Sequence, residues 1–185
     1  IEDELIANVR GSQSQFDGSV QSVEVPGARL GLTLRWNYLV GQEANAMRVL
    51  RDQMRGGAKR ILVPWFPRRE PLGTQRGAPT VNASGTGGNV LALTNCTIGG
   101  TFKRGDMWGL ETGQVVMIAE DATAFAPSVI LRTTLPIRTI PPNGSLARWD
   151  DPRLLMVSAT PRNRLPAMSG NQLKNVELQF VEVFS

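Results

Sequence analysis

A mainly β protein with one α-helix is predicted by three features. Leu30, Leu32, Leu34, Trp36 and Tyr38 alternate with Gly31, Thr33, Arg35 and Asn37, the period-2 signature of a half-buried strand. The period then changes over Glu43–Arg55, where Met47, Leu50 and Met54 fall at i, i+3 and i+7 on one helical face. Beyond residue 88, short apolar runs recur about every ten residues between turn signals, the pattern of a small barrel or sandwich.

Taken in order, residues 1–18 are polar and rich in Gly, Ser and Gln, which predicts an arm or an initial loop. Val20–Val25 can pair with Leu30–Tyr38 through the turn dipeptide Pro26-Gly27, giving a β-hairpin. The helix has Ala46 and Val49 beside its Met47/Leu50/Met54 face, Arg48 and Asp52 at i, i+4 on the outer side, Glu43 in its first turn and Arg55 in its last. Gly56-Gly57 supplies the stop. Leu30–Tyr38 and the final strand are expected to lie in one sheet, and the helix's Met face is expected to pack on the hairpin.

Ile61–Phe66, closed by Pro64 and Pro67, reads as a strand near a sheet edge. From Arg68 to Gly88 the composition shifts to Pro, Gly, Arg, Ser and Thr, predicting a linker or long loop. Asn89–Asn95, Thr101–Met107, Gly113–Ala119 and Ser128–Leu135 are the strands of the second block, and Pro141-Pro142-Asn143-Gly144 is a turn that would lead out of it. Leu154–Thr160 and Asn175–Phe184 follow. In the latter, Val176, Leu178 and Phe180 and then Val181 and Val183 suggest a strand with a bulge or register change.

Composition bounds the function. The 185 residues are 41% hydrophobic and 19% charged, which describes a globular chain of one or two small domains. No apolar run approaches the roughly 18 residues of a membrane span. Ile1-Glu2-Asp3-Glu4 offers no signal-peptide pattern, and the missing initiator Met suggests a start inside a longer product or after processing. Cys96 is alone and reads as a small buried hydrophobe. The net charge of +4 is modestly basic, with Lys59-Arg60, Arg68-Arg69 and Arg76 clustered in sequence; solvated loops or intersubunit ion pairs explain them better than a phosphate-facing patch.

Chemistry is the weak side of the chain. Without histidine there is no Ser-His-Asp or Cys-His arrangement, no zinc motif and no imidazole base, so only carboxylates remain as candidate metal ligands. Asp150-Asp151 and Glu120-Asp121 are adjacent pairs that point to opposite faces of a strand, unlike glycosidase carboxylates about 5–9 Å apart and aimed at one substrate. Gly85-Thr86-Gly87-Gly88 lacks the Lys-Ser/Thr of a phosphate loop and reads as flexible loop. Arg104-Gly105-Asp106 spells an integrin tripeptide, yet Gly-Asp before a strand is what a turn requires. Trp36, Trp65, Trp108 and Trp149 are scattered, which favours core or interface burial over a sugar platform. The expectation is no enzyme, no catalytic residue, no cofactor and no metal.

The ordered segments resemble a family of bacteriophage and gene-transfer-agent distal tail or tail-tip proteins. The resemblance rests on Phe16, Gly18 and Gln21, then Pro26, Gly27, Ala28 and Arg29, the alternating strand with Trp36, the helix ending at Gly56, and Ile61–Phe66. Gly105-Asp106, Gly113-Gln114-Val115, Asp121-Ala122-Thr123-Ala124 and the closing strand Leu178–Phe184 complete it, while segments 68–80 and 161–171 depart from the family pattern. The resemblance implies a β-sheet or barrel base domain of residues 1–80 plus 151–185, packed by helix 43–55, with a small barrel-like β-module inserted at 81–150. It implies a structural virion subunit at the distal end of the tail. Such a subunit forms a homo-oligomeric ring, usually hexameric, between the tail tube and the tip hub and receptor-binding parts. DNA would be met only in the lumen, and no membrane binding is expected. The alternatives are a head–tail connector or tail terminator ring, a host-glycan-binding tail module, and a carboxylate-dependent wall hydrolase.

Overall fold

The computed structural model describes residues 2–6, 9–13, 20–24, 29–54, 58–65, 70–159 and 172–183. Its elements are β1 (Glu2–Ile6), β2 (Val9–Gln13), β3 (Val20–Glu24), β4 (Arg29–Val40), α1 (Gln42–Met54), β5 (Ile61–Pro64), β6 (Thr80–Val81), β7 (Gly88–Thr94), β8 (Thr101–Phe102), β9 (Met107–Leu110), β10 (Val115–Met117), β11 (Ala122–Thr123), β12 (Val129–Ile137), β13 (Ala147–Arg148), β14 (Arg153–Ser158) and β15 (Gln172–Glu182). The protein is mainly β with one α-helix among the described residues. It divides into two units, 1–60 with 157–183, and 61–156.

The first unit is organised by β4. Its alternation places Leu30, Leu32 and Leu34 in the core. Antiparallel β15 runs along it from Gln172↔Val40 to Val181↔Gly31, setting Leu178 opposite Leu34 and Phe180 opposite Leu32. Such directly opposed apolar pairs share one face of the sheet and stabilise it. The other edge of β4 takes β1, from Glu2↔Thr33 to Ile6↔Arg29.

This corrects the expected hairpin. Both edges of β4 around residues 31–33 are occupied, so Val20–Glu24 pairs with β2 instead, from Val9↔Glu24 to Gln13↔Val20. The register of β15 against β4 is constant throughout, so no register change occurs at Val181. The irregularity sits at Asn175, whose φ of 52° is left-handed, a conformation Asn tolerates better than most residues.

Gly41, at φ 55°, turns β4 into α1, and Asn45 N donates to its carbonyl at 3.1 Å. Ala44, Met47 and Met54 are buried, Leu50 is half-buried, and the helix packs against β4. Ala46 and Val49, expected beside this face, are exposed. Asp52 pairs with its neighbour Arg51 at 2.7 Å rather than with Arg48.

In the second unit, β6–β7–β12 form one sheet and β10–β9–β13 another. Bridges Ile118↔Thr133 and Thr80↔Leu146 join them edge to edge, so the pairing runs in a circuit from β6 through β12, β10 and β13 back to β6. The circuit encloses a core that includes Val81, Leu91, Leu93, Phe102, Trp108, Leu110, Val116, Ile118, Leu131 and Ile137. The Phe102 and Trp108 rings sit 5.2 Å apart at 42°. β8 and β11 form a separate two-stranded pair, and β5 pairs with β14 from Ile61↔Met156 to Pro64↔Arg153.

The division at 61 and 156 differs from the 81–150 module expected. Gln75 N donates to the Thr101 carbonyl at 3.0 Å, which ties segment 70–77 to the second unit. Pro141–Gly144 is a turn, closed by Ser145 N to Pro142 O at 3.1 Å, but it does not exit. Gly144 N returns to Val81 O at 2.9 Å.

Candidate functional site

Asp106 is fully buried at the turn between β8 and β9. One carboxylate oxygen accepts Leu72 N at 2.7 Å, and the other accepts Gly73 N at 3.0 Å and Lys103 N at 2.8 Å. Gly105, at φ 87°, supplies the left-handed step before it and donates to Ile118 O at 2.8 Å. Asp106 is therefore turned inward and its carboxylate taken up by backbone amides, while Arg104 of the tripeptide stays exposed.

Segment 70–88 is built into the unit, correcting the expected linker. The buried Gln75 accepts Thr97 N at 3.1 Å and donates to Arg76 O. Arg76 lies over the Trp149 ring at 4.7 Å and donates to Gly73 O at 2.7 Å, and Trp149 Nε1 donates to Gly77 O at 3.0 Å. Thr86 Oγ1 donates to Asn82 O at 2.8 Å and accepts Ala92 N at 3.0 Å, so the Gly85–Gly88 stretch is tied to β7. Of the basic cluster, Arg76 is engaged with Trp149 and Gly73, Lys59 and Arg60 are exposed, and Arg68 and Arg69 lie outside the described residues.

The carboxylate pairs do not converge. Asp121 accepts Arg104 N at 2.8 Å and Lys103 Nζ at 2.7 Å; these donors, the backbone amide first, hold its carboxyl below the usual range. Asp151 accepts Arg153 Nε at 2.6 Å. No cluster of three or more His, Cys, Asp or Glu residues able to hold a metal occurs among the described residues. Cys96 is buried, and burial pushes its thiol up to about 11. An open cleft of about 320 Å³ gathers Leu62, Glu111, Arg148, Asp151 and Arg153 around Gly109 and Gly113, with Asp151 engaged by Arg153.

Of the motif residues, Phe16, Gly18, Pro26, Gly27, Ala28 and Gly56 lie outside the described residues. Gln21 falls in β3 opposite Ser12, and Trp36 is half-buried on β4, far in sequence from the Gly105-Asp106 turn. Trp65 and Trp108 are buried and Trp149 is faced by Arg76, leaving Trp36 as the one tryptophan with an open ring among the described residues. It lines a shallow groove of about 520 Å³ with Tyr38, Leu39, Glu43, Ala46, Met47 and Leu50.

Sequence reasoning missed the most exposed apolar residues. Phe125 is 88% exposed, Ile130 71%, and Ile98 and Leu72 66% each. Nothing in their local patterning distinguishes them from core positions. No described helix is long and apolar enough to cross a membrane. No protein-family model matches the sequence, and no curated protein matches it either.

Proposed function

We propose that the chain is a structural subunit of a bacteriophage tail tip, assembling as a ring that links the tail tube to the hub and receptor-binding parts. The observation that carries this is the exposure of large apolar side chains on both units: Tyr38, Val40 and Val49 on the first, Phe125, Ile130 and Ile98 on the second. Exposed apolar surface on a chain whose cores are otherwise closed marks a surface made to be covered by protein. The ordered resemblance in the sequence supplies the identity of the assembly, and the committed carboxylates and buried thiol give an enzyme no working constellation among the described residues.

The glycan-binding alternative retains one surface, Trp36 beside Tyr38 and Glu43, an aromatic pair with a carboxylate at its rim. It requires binding of host glycan by the isolated monomer, lost on Trp36→Ala.

The test of the ring is cryo-electron microscopy of intact particles. A ring of this chain traced at the distal end of the tail is the expected result. A ring at the capsid end moves it to the connector or terminator class, and absence from the particle overturns the structural reading.

A further inference from the structure

Asn143-Gly144 is the one Asn-Gly pair among the 185 residues. Glycine after asparagine leaves the backbone nitrogen unhindered, and here a Cβ on Gly144 would meet nothing within 4 Å. Both residues are exposed, so water and base reach them. Each reacting group is nonetheless held. Gly144 N donates to Val81 O at 2.9 Å, and Asn143 Oδ1 accepts Ala83 N at 3.1 Å. Gly144, at φ 80°, sits inside the turn that Ser145 N closes on Pro142 O at 3.1 Å. Directly after that turn runs the seam that closes the second unit. Val81 N donates to Ser145 O at 2.8 Å, Thr80 bridges Leu146, and Ala147 N donates to Pro79 O at 3.0 Å. Val81, Ser145 and Ala147 are buried.

We propose that Asn143 is a deamidation site that the fold holds back, and that its isoaspartyl product opens this seam. Base takes the proton from Gly144 N, and the nitrogen attacks Cγ of Asn143. The new C–N bond closes a five-membered imide as the Cγ–Nδ2 bond breaks and ammonia leaves. Water then opens the imide at either carbonyl, giving aspartate or isoaspartate, with nothing oxidised or reduced. The proton that must leave is the one donated to Val81 O, so the reaction waits for the loop to open, as amide exchange does. The Ala83 amide holds the attacked side chain as well. The two products act differently on the fold. Aspartate leaves the main chain unchanged and keeps an oxygen for Ala83 N. Isoaspartate routes the main chain through Cβ, adding one carbon between the α-carbon at 143 and Gly144 N. That carbon displaces Gly144 and Ser145 from Val81, a buried residue whose amide and carbonyl both bond this loop, where an unmade bond is costly. β6 is only two residues long, so the loss leaves its pairing to β7. A chain that lingers unfolded thus ages at residue 143, and one that folds promptly is protected.

The test holds the full chain native and in urea at the same alkaline pH, then follows tryptic peptide 139–148, in which Asn143 is the one Asn, by mass. Conversion of amide to acid is expected in the unfolded chain, and about tenfold or more slowly in the native one. Equal rates overturn the protection by Val81 and Ala83, and no conversion in urea overturns the site. An isoaspartyl methyltransferase counts the rearranged product. Material converted in urea and refolded is then compared with Asn143→Asp, which carries the same charge without the extra carbon. The isoaspartyl fraction is expected to melt below both the parent and Asn143→Asp, or to fail to refold where both of these refold. An isoaspartyl form that melts with the parent overturns the opening of the seam. So does an Asn143→Asp variant as unstable as the isoaspartyl form, because charge alone would then account for the loss.

Discussion

Asp106 and Gly73 are held in direct contact: Oδ2 of the carboxylate accepts the Gly73 amide at 3.0 Å, and a Cβ on Gly73 would stand 2.9 Å from that same oxygen and closer still to the Thr101 carbonyl. The absent side chain is what lets segment 70–77 reach the buried carboxylate.

Replacing Asp106 leaves Leu72, Gly73 and Lys103 amides without their acceptor. Asp106→Ala is expected to cost about 3 kcal/mol, since each orphaned buried donor costs on the order of 1–3 kcal/mol and some regain water. Asp106→Asn keeps one acceptor oxygen and is expected to fall between. Gly73→Ala should cost about 2 kcal/mol by overpacking. Urea midpoints followed by Trp108 fluorescence rank the three; an Asp106→Ala midpoint equal to the parent would refute the anchoring role.

The Arg76–Trp149 contact makes a separate prediction. Arg76→Ala removes a guanidinium 4.7 Å from the ring and a bond to Gly73 O, and should cost about 1–2 kcal/mol. It should also raise acrylamide quenching of tryptophan emission, because Trp149 loses its cover. Arg76→Lys restores charge but not the planar fork, and is expected to recover only part of the loss.

Cys96 titrates at about 11 in the fold against 9.0 for the unperturbed thiol, because burial disfavours the thiolate. Between these values the unfolded chain has lost its proton while the folded chain keeps it, so stability falls as pH rises from 9 to 11. Below 9 both states are protonated and the group contributes no slope. Cys96→Ala should flatten that part of the alkaline stability profile. The thiol of the native chain should react with a disulfide reagent at pH 8 far more slowly than that of the urea-unfolded chain.

On α1 the prediction separates neighbours. Met47 is 7% exposed and Val49 55%. Met47→Asp is expected to unfold the first unit, because it strands a charge in the core, whereas Val49→Asp should shift stability by no more than about 0.5 kcal/mol. Thermal melts by circular dichroism compare them, and a folded Met47→Asp with a parental melting temperature would remove the helix from its position on β4.

Strand content was legible wherever burial is one-sided: β14 and most of β4 and β15 alternate, with the inward side switching between Trp36 and Leu39 and at Asn175, and Glu43 and the Met spacing announce α1. Partnership was legible in part: Leu30–Tyr38 and the final strand were expected in one sheet and do pair there, but the local hairpin does not form. Val20–Glu24 and Leu30–Tyr38 are neighbours joined by a turn dipeptide, yet β4 pairs with β15, more than a hundred residues away, because the longer apolar match outweighs the local turn. Segment 70–77 looked like a linker because its order comes from a buried carboxylate, a buried amide and a stacked guanidinium, none of which produces periodicity. The exposure of Phe125 was invisible for the opposite reason. An apolar residue outside a periodic run carries no sign of which way it faces. The exposed apolar side chains thus emerged only in three dimensions, while the absence of histidine was plain in the sequence.

The pairing of β4 with β15 also fixes an order of events during synthesis. The second unit is one continuous stretch, 61–156, and all of it is synthesised before Gln172–Glu182. Leu32 and Leu34 meanwhile lack Phe180 and Leu178, so the earlier-made half of the first unit waits, unclosed, while the later-made barrel can already fold. A released fragment ending at residue 160 would carry the whole of the second unit beside an open apolar strand, the kind of surface chaperones hold.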